Sequence, residues 1–169
     1  FLREGEIAGQ LSHPNVIPVH DVGVREERGK KTPYFVMTRI TGRDLKEILE
    51  DVEKGKGNAR KEFSRPRLLR VFQDVCLAMA YSHDHGVVHR DLKPANVMVG
   101  KYGEVYVVDW GLAKVLGQKE DPAATMVVPS TDSTAAAAAD SQAPVLTMEG
   151  TVIGTPAYMP PEQADGKIA

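Results

Sequence analysis

The sequence contains little of what marks several common protein classes. Its 169 residues include one cysteine, Cys76, so an internal disulfide is impossible, and the apolar neighbours of this residue predict a buried thiol in a reducing compartment. A run of 18 apolar residues is absent, so we expect no membrane contact from these residues. Neither an initial methionine nor a charged and then apolar leader opens the sequence.

Neither sign of charge is in excess, which limits the partners that the chain can bind. The sequence carries 21 Lys and Arg residues against 23 Asp and Glu residues. A protein that binds nucleic acid without sequence preference relies on excess positive charge. We therefore expect no nucleic-acid partner.

The residues that are present suffice for one folded domain with a hydrophobic core. Hydrophobic residues make up 42% of the chain, close to the average for globular proteins. Residues 118–148 differ, because they are rich in Ala, Ser, Thr and Pro and include an unbroken row of alanines at 135–139. Such a composition cannot bury enough apolar surface to offset the entropy of ordering, so we predict a mobile insertion there.

The spacing of apolar residues predicts short strands between helices. Residues 1–12 have helical spacing, which should end before Pro14 because proline disfavours helical geometry in the residue before it. The other predicted elements are strands at 16–24 and 33–40 around a turn at 25–31, a helix at 45–52, a solvated loop at 53–61, a helix at 66–85, and a hairpin of strands at 97–99 and 104–108. The predicted core face of the long helix consists of Leu68, Phe72, Val75, Cys76 and Met79.

The predicted hairpin brings polar side chains together. Asn96 precedes its outgoing strand and Asp109 follows its returning strand, so the two residues should lie at the same end of the hairpin. Asp91 reaches the same region from the preceding loop. Two carboxylates and an amide oxygen are suitable ligands for Mg²⁺ bound to phosphate. Lys93 adds a positive charge that could contact a phosphate oxygen.

Three motifs in these regions resemble those of the eukaryotic-like protein kinases. The catalytic loop of that family is similar to HRDLKPAN at 89–96, and its metal-binding triplet is similar to DWG at 109–111, with Trp in place of the usual Phe. The end of its activation segment is similar to GTPAYMPPE at 154–162. The lysine at 93 and the Gly-Thr pair at 154–155 resemble the Ser/Thr class of kinase, and HPNV at 13–16 resembles bacterial members.

The resemblance implies an α+β fold of the two-lobed protein-kinase type, present here in part. Residues 1–40 would be the remainder of the small lobe and the hinge, and residues 41–169 the start of the helical large lobe, with 118–148 inserted in the activation segment. The glycine-rich loop and the V-A-I-K-type lysine that the family places before Glu4 do not occur in these residues. We therefore expect the chain to be the central part of a kinase domain.

The resemblance also implies catalytic roles for individual residues. Asp91 would accept the proton of the substrate hydroxyl, and Lys93 would contact the γ-phosphate. Asn96 and Asp109 would hold Mg²⁺, which Mn²⁺ can replace. Glu4 matches the helix glutamate that pairs with the ATP-binding lysine.

The nucleotide and substrate segments are assigned in the same way. Met37 resembles the gatekeeper residue, the backbone from Thr38 to Ile40 the hinge that meets adenine, and Met98 the floor of the adenine pocket. Thr155 occupies the position that contacts Asp91 and Lys93 in the family. Glu162 is the last residue of the activation-segment motif. The residues expected to stack between the lobes are Ala8, Val19, His89 and Trp110.

Arg90 suggests control by phosphorylation. An arginine beside the catalytic aspartate can form a bidentate pair with a phosphothreonine and thereby order the activation segment. Thr147, eight residues before Thr155, is the first candidate for modification, and Thr151 is the second.

The resemblance therefore implies an ATP-dependent kinase that phosphorylates Ser and Thr hydroxyls of proteins, with a homodimer as a further partner for autophosphorylation in trans. It implies a cytoplasmic catalytic domain, and any membrane anchor of the parent protein would lie outside these residues. We expect the isolated 169 residues to be inactive, since phosphoryl transfer depends on positioning the nucleotide. The alternative is a truncated remnant or a pseudokinase-like binding module. A small-molecule phosphotransferase is disfavoured by the protein-substrate motif at 154–162.

Overall fold

A computed structural model describes residues 2–27, 29–117 and 154–165. It confirms the predicted mixture of helices and small antiparallel sheets. The helices are α1 (Leu2–Gln10), α2 (Leu45–Glu53), α3 (Ala59–Glu62), α4 (Arg65–Asp84) and α5 (Pro161–Ala164). The strands are β1 (Val19–Glu27), β2 (Lys30–Met37), β3 (Gly42–Asp44), β4 (Val87–Val88), β5 (Val97–Gly100), β6 (Val105–Val107) and β7 (Lys114–Val115). No helix in these three ranges is both long and apolar enough to span a bilayer.

The first part of the chain is a helix packed on a hairpin. The sheet of β1 and β2 is antiparallel, and α1 approaches it closely at Gly5, where an added β-carbon would lie 3.1 Å from Phe35 Cβ. The turn predicted at 25–31 is too long, because the strands continue to Glu27 and resume at Lys30. Opposite charges in this cross-strand pair and the left-handed backbone of Gly29 explain the tighter turn.

The second part of the chain is built on a three-stranded sheet beneath two helices. Strands β3, β5 and β6 pair in that order, and the predicted hairpin of β5 and β6 is confirmed, with Val97 opposite Val107. Helix α2 begins at Asp44, whose carboxylate accepts a hydrogen bond from the Glu47 amide at 2.8 Å. Ile48 of α2 is fully buried, as is Val107 of β6. One core cluster therefore joins the helices to the sheet.

The predicted buried face of α4 is confirmed in part: Val75 is buried, and Leu68 and Met79 pack against the core. Phe72 is 65% exposed and Cys76 is also exposed, so the predictions of a core phenylalanine and of a buried thiol are wrong. The residues of α4 that are buried are Val71, Val75, Ala78 and Ser82. Val71 and Phe72 are about 100° apart around the helix, so burial of one face exposes the other. A serine can join the core because Ser82 Oγ donates to the Met79 carbonyl at 3.0 Å.

The segment between α2 and α4 is more ordered than the solvated loop predicted at 53–61. Its end forms α3, in which Ala59 is buried, and Phe63 is buried directly after it. Arg60 explains this order, since its guanidinium donates to the carbonyls of Val52 at 2.9 Å and Glu53 at 3.0 Å. These carbonyls lie at the C-terminal end of α2, where the regular helical bonds run out, and Val52 also accepts a hydrogen bond from the Gly55 amide at 3.3 Å.

The connection after α1 attaches the first part of the chain to the sheet. Asn15 accepts a hydrogen bond from the Val107 amide at 2.8 Å, and its side-chain amide donates to the Val105 carbonyl at 3.0 Å. Val16 then forms a parallel bridge with Val107. The position of α1 is therefore fixed relative to the strand that leads to Asp109.

His89 and Trp110 form a buried aromatic pair beside this strand. Their ring centroids are 4.7 Å apart, and the two side chains are 2% and 1% exposed. The Val108 carbonyl, 3.1 Å from His89 Nε2, can only accept a hydrogen bond, and the Asp91 amide, 3.3 Å from Nδ1, can only donate one. His89 must therefore be neutral, with its proton on Nε2. Burial lowers the pKa of this imidazole.

The neutral form of His89 makes stability depend on pH. Below its usual pKa of 6.5 the unfolded histidine binds a proton that buried His89 does not, so the unfolded state is favoured as the pH falls. We expect the free energy of unfolding to fall below about pH 6.5, by at most about 1.4 kcal/mol per pH unit. Urea unfolding between pH 5 and 7.5 measures this slope. The variant His89→Gln, which cannot titrate, should show a smaller slope, and equal slopes would contradict the assignment.

Candidate active site

The hairpin of β5 and β6 places two polar residues at one end. Asn96 ends the 3₁₀ turn Pro94–Asn96 before β5, and its carbonyl accepts a hydrogen bond from the Val108 amide at 3.0 Å. Asp109 is the next residue and has a left-handed backbone with φ of 63°. This conformation is uncommon for a residue other than glycine, and it ends the strand abruptly.

Asp91 is the centre of a closed set of polar contacts. Its carboxylate is 7% exposed and lies 2.7 Å from Lys93 Nζ, which offsets its buried charge. The Thr155 hydroxyl donates to the other carboxylate oxygen at 2.7 Å and accepts a hydrogen bond from Lys93 Nζ at 2.8 Å. The catalytic-loop motif and the activation-segment motif, which are 64 residues apart at Asp91 and Thr155, therefore meet in space.

Asn96 also forms hydrogen bonds with Asp91. The side chain is 6% exposed, and its Nδ2 donates to the Asp91 carbonyl at 2.9 Å and to the carboxylate at 3.2 Å. The side-chain amide nitrogen is thereby directed at Asp91. Within the part of the chain that the structure describes, Asn96 Oδ1 and the Asp109 carboxylate accept no hydrogen bond from protein. These oxygens fit a hard divalent cation, which prefers carboxylate and amide oxygens.

A cleft opens beside these residues, between the β1–β2 hairpin and the sheet of β5 and β6. Its volume is about 530 Å³, which suits a ligand of nucleotide size. Apolar side chains form most of the wall, and acidic groups stand at one end. The residues lining it are Glu4, Ala8, Ile17, Val19, Phe35, Met37, Thr38, Arg39, Ile40, Met98, Val108, Asp109 and Trp110.

The cleft gathers the residues that the sequence assigned to the nucleotide. Met37, Thr38, Ile40 and Met98 all line it. The Thr38 amide donates to the Pro18 carbonyl at 3.1 Å, and this bond holds the segment after β2 against the connection that precedes β1. This mainly apolar lining can accept a flat heteroaromatic ring.

Glu4 lies at the acidic end of the cleft. Its Oε2 atom is 3.7 Å from the position that a β-carbon on Gly111 would occupy, and Asp109 Oδ1 is 3.4 Å from the same point. Burial, together with the negative charge of Asp109, raises the pKa of the Glu4 carboxyl. Two carboxylates in this arrangement favour a positive group between them.

The predicted regulatory residue Arg90 and the substrate-segment residue Glu162 do not line the cleft. Arg90 directs its guanidinium Nε to the Leu112 carbonyl at 2.6 Å, at the start of the activation segment. Thr147 and Thr151 lie outside the described residues. Glu162 is exposed in α5.

Sequence reasoning missed Gln163, which is adjacent to the assigned glutamate. Its side chain is 6% exposed, and Nε2 donates to the Arg90 carbonyl at 2.6 Å. The surrounding sequence is polar and gives no periodic signal for a buried residue. The sequence feature that could have identified Gln163 is its position directly after the motif at 154–162, because a side chain there could reach the same loop as Thr155 does.

Comparison with known proteins identifies the family. The protein kinase domain matches residues 1–167. The chain is 36% identical over 173 aligned residues to the serine/threonine-protein kinase PknD of Protochlamydia amoebophila, covering 100% of this chain and 16% of that protein. It is 38% identical over 169 residues to the probable serine/threonine-protein kinase CE0033 of Corynebacterium efficiens, covering 100% of this chain and 21% of that protein.

A solved structure agrees with these sequence matches. A chain of the yeast RNA Pol II CTD kinase CTDK-1 complex superposes with a TM-score of 0.54 and 26% identity, covering 68% of this chain and 34% of that chain. The chain thus spans about a fifth or less of the length of the two bacterial relatives. The resemblance drawn from the motifs is confirmed: the chain belongs to the protein kinase family, and its relatives include bacterial serine/threonine-protein kinases.

Proposed function

We propose that the protein bearing this chain transfers the γ-phosphoryl group of ATP to Ser and Thr hydroxyls of other proteins. The observation that carries the proposal is the contact set of Asp91, Lys93 and Thr155 beside Asn96. A carboxylate that accepts hydroxyl hydrogen bonds, next to a cation, is what transfer of phosphate to an alcohol requires.

Asp91 is the proton acceptor in this proposal. Its Oδ1 atom already accepts the Thr155 hydroxyl at 2.7 Å, so a substrate hydroxyl of the same chemistry can bind to this carboxylate in the same way. The loss of the proton to Asp91 lets the hydroxyl oxygen form its bond to phosphorus as the bond to the leaving oxygen breaks. Lys93, 2.7 Å from the same carboxylate, places its positive charge where a phosphate oxygen arrives.

The nucleotide would occupy the cleft lined by Met37 and Met98, with adenine against the backbone from Thr38 to Ile40. Protein kinases generally use ATP and Mg²⁺, and Asn96 Oδ1 and the Asp109 carboxylate would hold that ion, or Mn²⁺ in its place. When bound, the ion neutralises phosphate charge. Glu4 would pair with the ATP-binding lysine that the family places before it and would orient that lysine toward the phosphates.

The remaining proposals concern the whole protein. Residues 1–40 belong to the small lobe and hinge, and residues 41–169 to the large lobe, with an insertion at 118–148. The kinase family implies protein substrates, and we propose that a homodimer of the protein phosphorylates itself in trans. The catalytic domain is cytoplasmic in this proposal, with any membrane anchor elsewhere in the protein.

Replacement of Asp91 should abolish phosphoryl transfer without loss of the fold. In the natural protein at its full length, Asp91→Asn should lower kcat on a Ser/Thr peptide by about 10²- to 10⁴-fold, because the amide cannot accept the hydroxyl proton. Transfer of ³²P from ATP measures this. Asp84→Asn, at the exposed end of α4, is the matched control and should keep wild-type activity.

Two other outcomes of that experiment are decisive. Equal activity of Asp91→Asn and Asp84→Asn would contradict the role of Asp91. A wild-type protein that binds ATP but transfers no phosphate would support the binding-module alternative instead. The isolated 169 residues should transfer none, since their sequence contains no glycine-rich loop.

The proposed ion site predicts a shifted requirement for Mg²⁺. Asp109→Asn removes one negative ligand, so the Mg²⁺ concentration for half-maximal activity should rise by roughly tenfold or more. Titration of Mg²⁺ at saturating ATP measures this shift in the natural protein, with Asp84→Asn as the control again. An unchanged Mg²⁺ requirement in Asp109→Asn would assign the ion to other residues.

Control by phosphorylation is proposed to act through Arg90. A phosphothreonine at 147 or 151 would pair with its guanidinium and order the activation segment. Mass spectrometry of fully active protein should find Thr147 or Thr151 phosphorylated, and Thr147→Ala with Thr151→Ala should lower activity. Full activity with both threonines unmodified would refute this model.

A further inference from the structure

Arg90 has a backbone conformation that needs external support. Its φ is 65°, in the left-handed region that residues with a β-carbon rarely adopt. Such a residue persists only where its surroundings hold it. Because Asp91 follows directly, the direction of its carboxylate depends on the conformation of Arg90.

Two hydrogen bonds hold Arg90 from opposite ends of the activation segment. Its Nε donates to Leu112 at the start of the segment at 2.6 Å. Its carbonyl accepts Gln163 Nε2 at 2.6 Å from α5, after the segment ends. The first bond uses the side chain of Arg90, whereas the second acts on the peptide unit that it shares with Asp91.

Gly154 packs directly against the hydrogen bond between Gln163 and Arg90. A β-carbon on Gly154 would lie 2.7 Å from Gln163 Nε2 and 2.8 Å from the Arg90 carbonyl oxygen, and the φ of Gly154 is 129°. Only glycine can pack its backbone directly over this bond. Thr155, the next residue, donates to Asp91. Gln163 therefore lies between the two loops whose ends form the contact of Asp91 with Thr155.

The support for Gln163 is itself rigid. Gln163 is 6% exposed, and its backbone amide donates to the Pro160 carbonyl at 3.0 Å within the single turn of α5. Removal of the side-chain amide donor is costly, because the part-buried Arg90 carbonyl loses the hydrogen bond from Gln163 Nε2.

We infer that Gln163 is a positioning residue for phosphoryl transfer, which acts through the Arg90 carbonyl to hold Asp91 in line with the acceptor hydroxyl. It does not touch the cleft, since none of the residues that line the cleft lies in α5. The inference deepens the proposed function and rests on it.

The test uses two isosteric replacements in the natural protein at its full length. Gln163→Met keeps the length of the side chain and removes the donor, and Gln163→Glu places an oxygen against the Arg90 carbonyl. We expect kcat to fall by about 10- to 100-fold in Gln163→Met and further in Gln163→Glu, since a displacement of about 1 Å costs this much. The KM for ATP should change by less than about twofold, because binding in the cleft is preserved.

The control and the contrary results are specific. Gln73→Met and Gln73→Glu make the same changes at an exposed position of α4 and should leave kcat and KM unchanged. If Gln163 contributed only to packing, Gln163→Met would be more stable than Gln163→Glu. The two variants would then not show a fall in kcat with an unchanged KM. Unchanged kcat in both Gln163 variants would overturn the inference, and so would global unfolding of both, because Gln163 would then support the fold rather than one loop.

Hydrogen exchange separates this inference from the proposed function. The amides of residues 89–92 and of residues 154, 155, 157 and 158 should exchange faster in Gln163→Met than in wild type or Gln73→Met, whether or not the protein transfers phosphate. An inactive wild-type protein with this exchange pattern would refute the proposed function and keep the coupling of Gln163 to Asp91. Identical exchange in all three proteins would refute that coupling.

Discussion

The buried carboxylate of Asp91 is the constraint on which the rest of the site depends. A charge that is 7% exposed requires compensation, and here Lys93 supplies an opposite charge while Thr155 and Asn96 supply hydrogen bonds. Lys93 and Asn96 belong to the catalytic loop that also carries Asp91, and Thr155 belongs to the activation segment. The need to satisfy one carboxylate therefore holds the activation segment against the catalytic loop, and the Asn96 contacts to Asp91 use its Nδ2 rather than its Oδ1 atom.

Backbone strain and burial set the position of that carboxylate. Arg90 and Asp109 both have left-handed backbones, and the two residues stand on either side of the site. His89 and Trp110, which adjoin these two residues in sequence, form a buried pair, and neutral His89 bonds to the amide of Asp91 and to the carbonyl that precedes Asp109. Trp110, where the family usually has Phe, adds a hydrogen bond from its indole to the Val107 carbonyl at 3.3 Å. Uncommon conformations thus coincide with strong local support.

The sequence predicted the hairpin and its polar end because antiparallel pairing follows from alternation and a turn, which are local properties. The same reasoning was right for Val75 of α4 but wrong for Phe72 and Cys76. Apolar residues occur on two of its faces, so periodicity alone could not decide that Val71 is buried and Phe72 is exposed. Which face is buried depends on the sheet that packs on the helix, and that is tertiary information. Gln163 escaped for a similar reason, since its partner is 73 residues away.

Arg90 contacts residues at both ends of the activation segment and directly precedes Asp91. Its side chain holds the start of the activation segment at Leu112, and its carbonyl is held by Gln163 after the end of the segment. A displacement of the Gln163 end must therefore act on the peptide unit that Arg90 shares with Asp91, whereas a displacement of the Leu112 end acts on the side chain of Arg90. A phosphate that attracts the guanidinium would compete with the Leu112 carbonyl for Arg90, whereas the bond from Gln163 would still hold the backbone. In this proposal, phosphorylation would act through the side chain of Arg90 and positioning through its carbonyl, so both would operate on the same residue without destroying the geometry at Asp91.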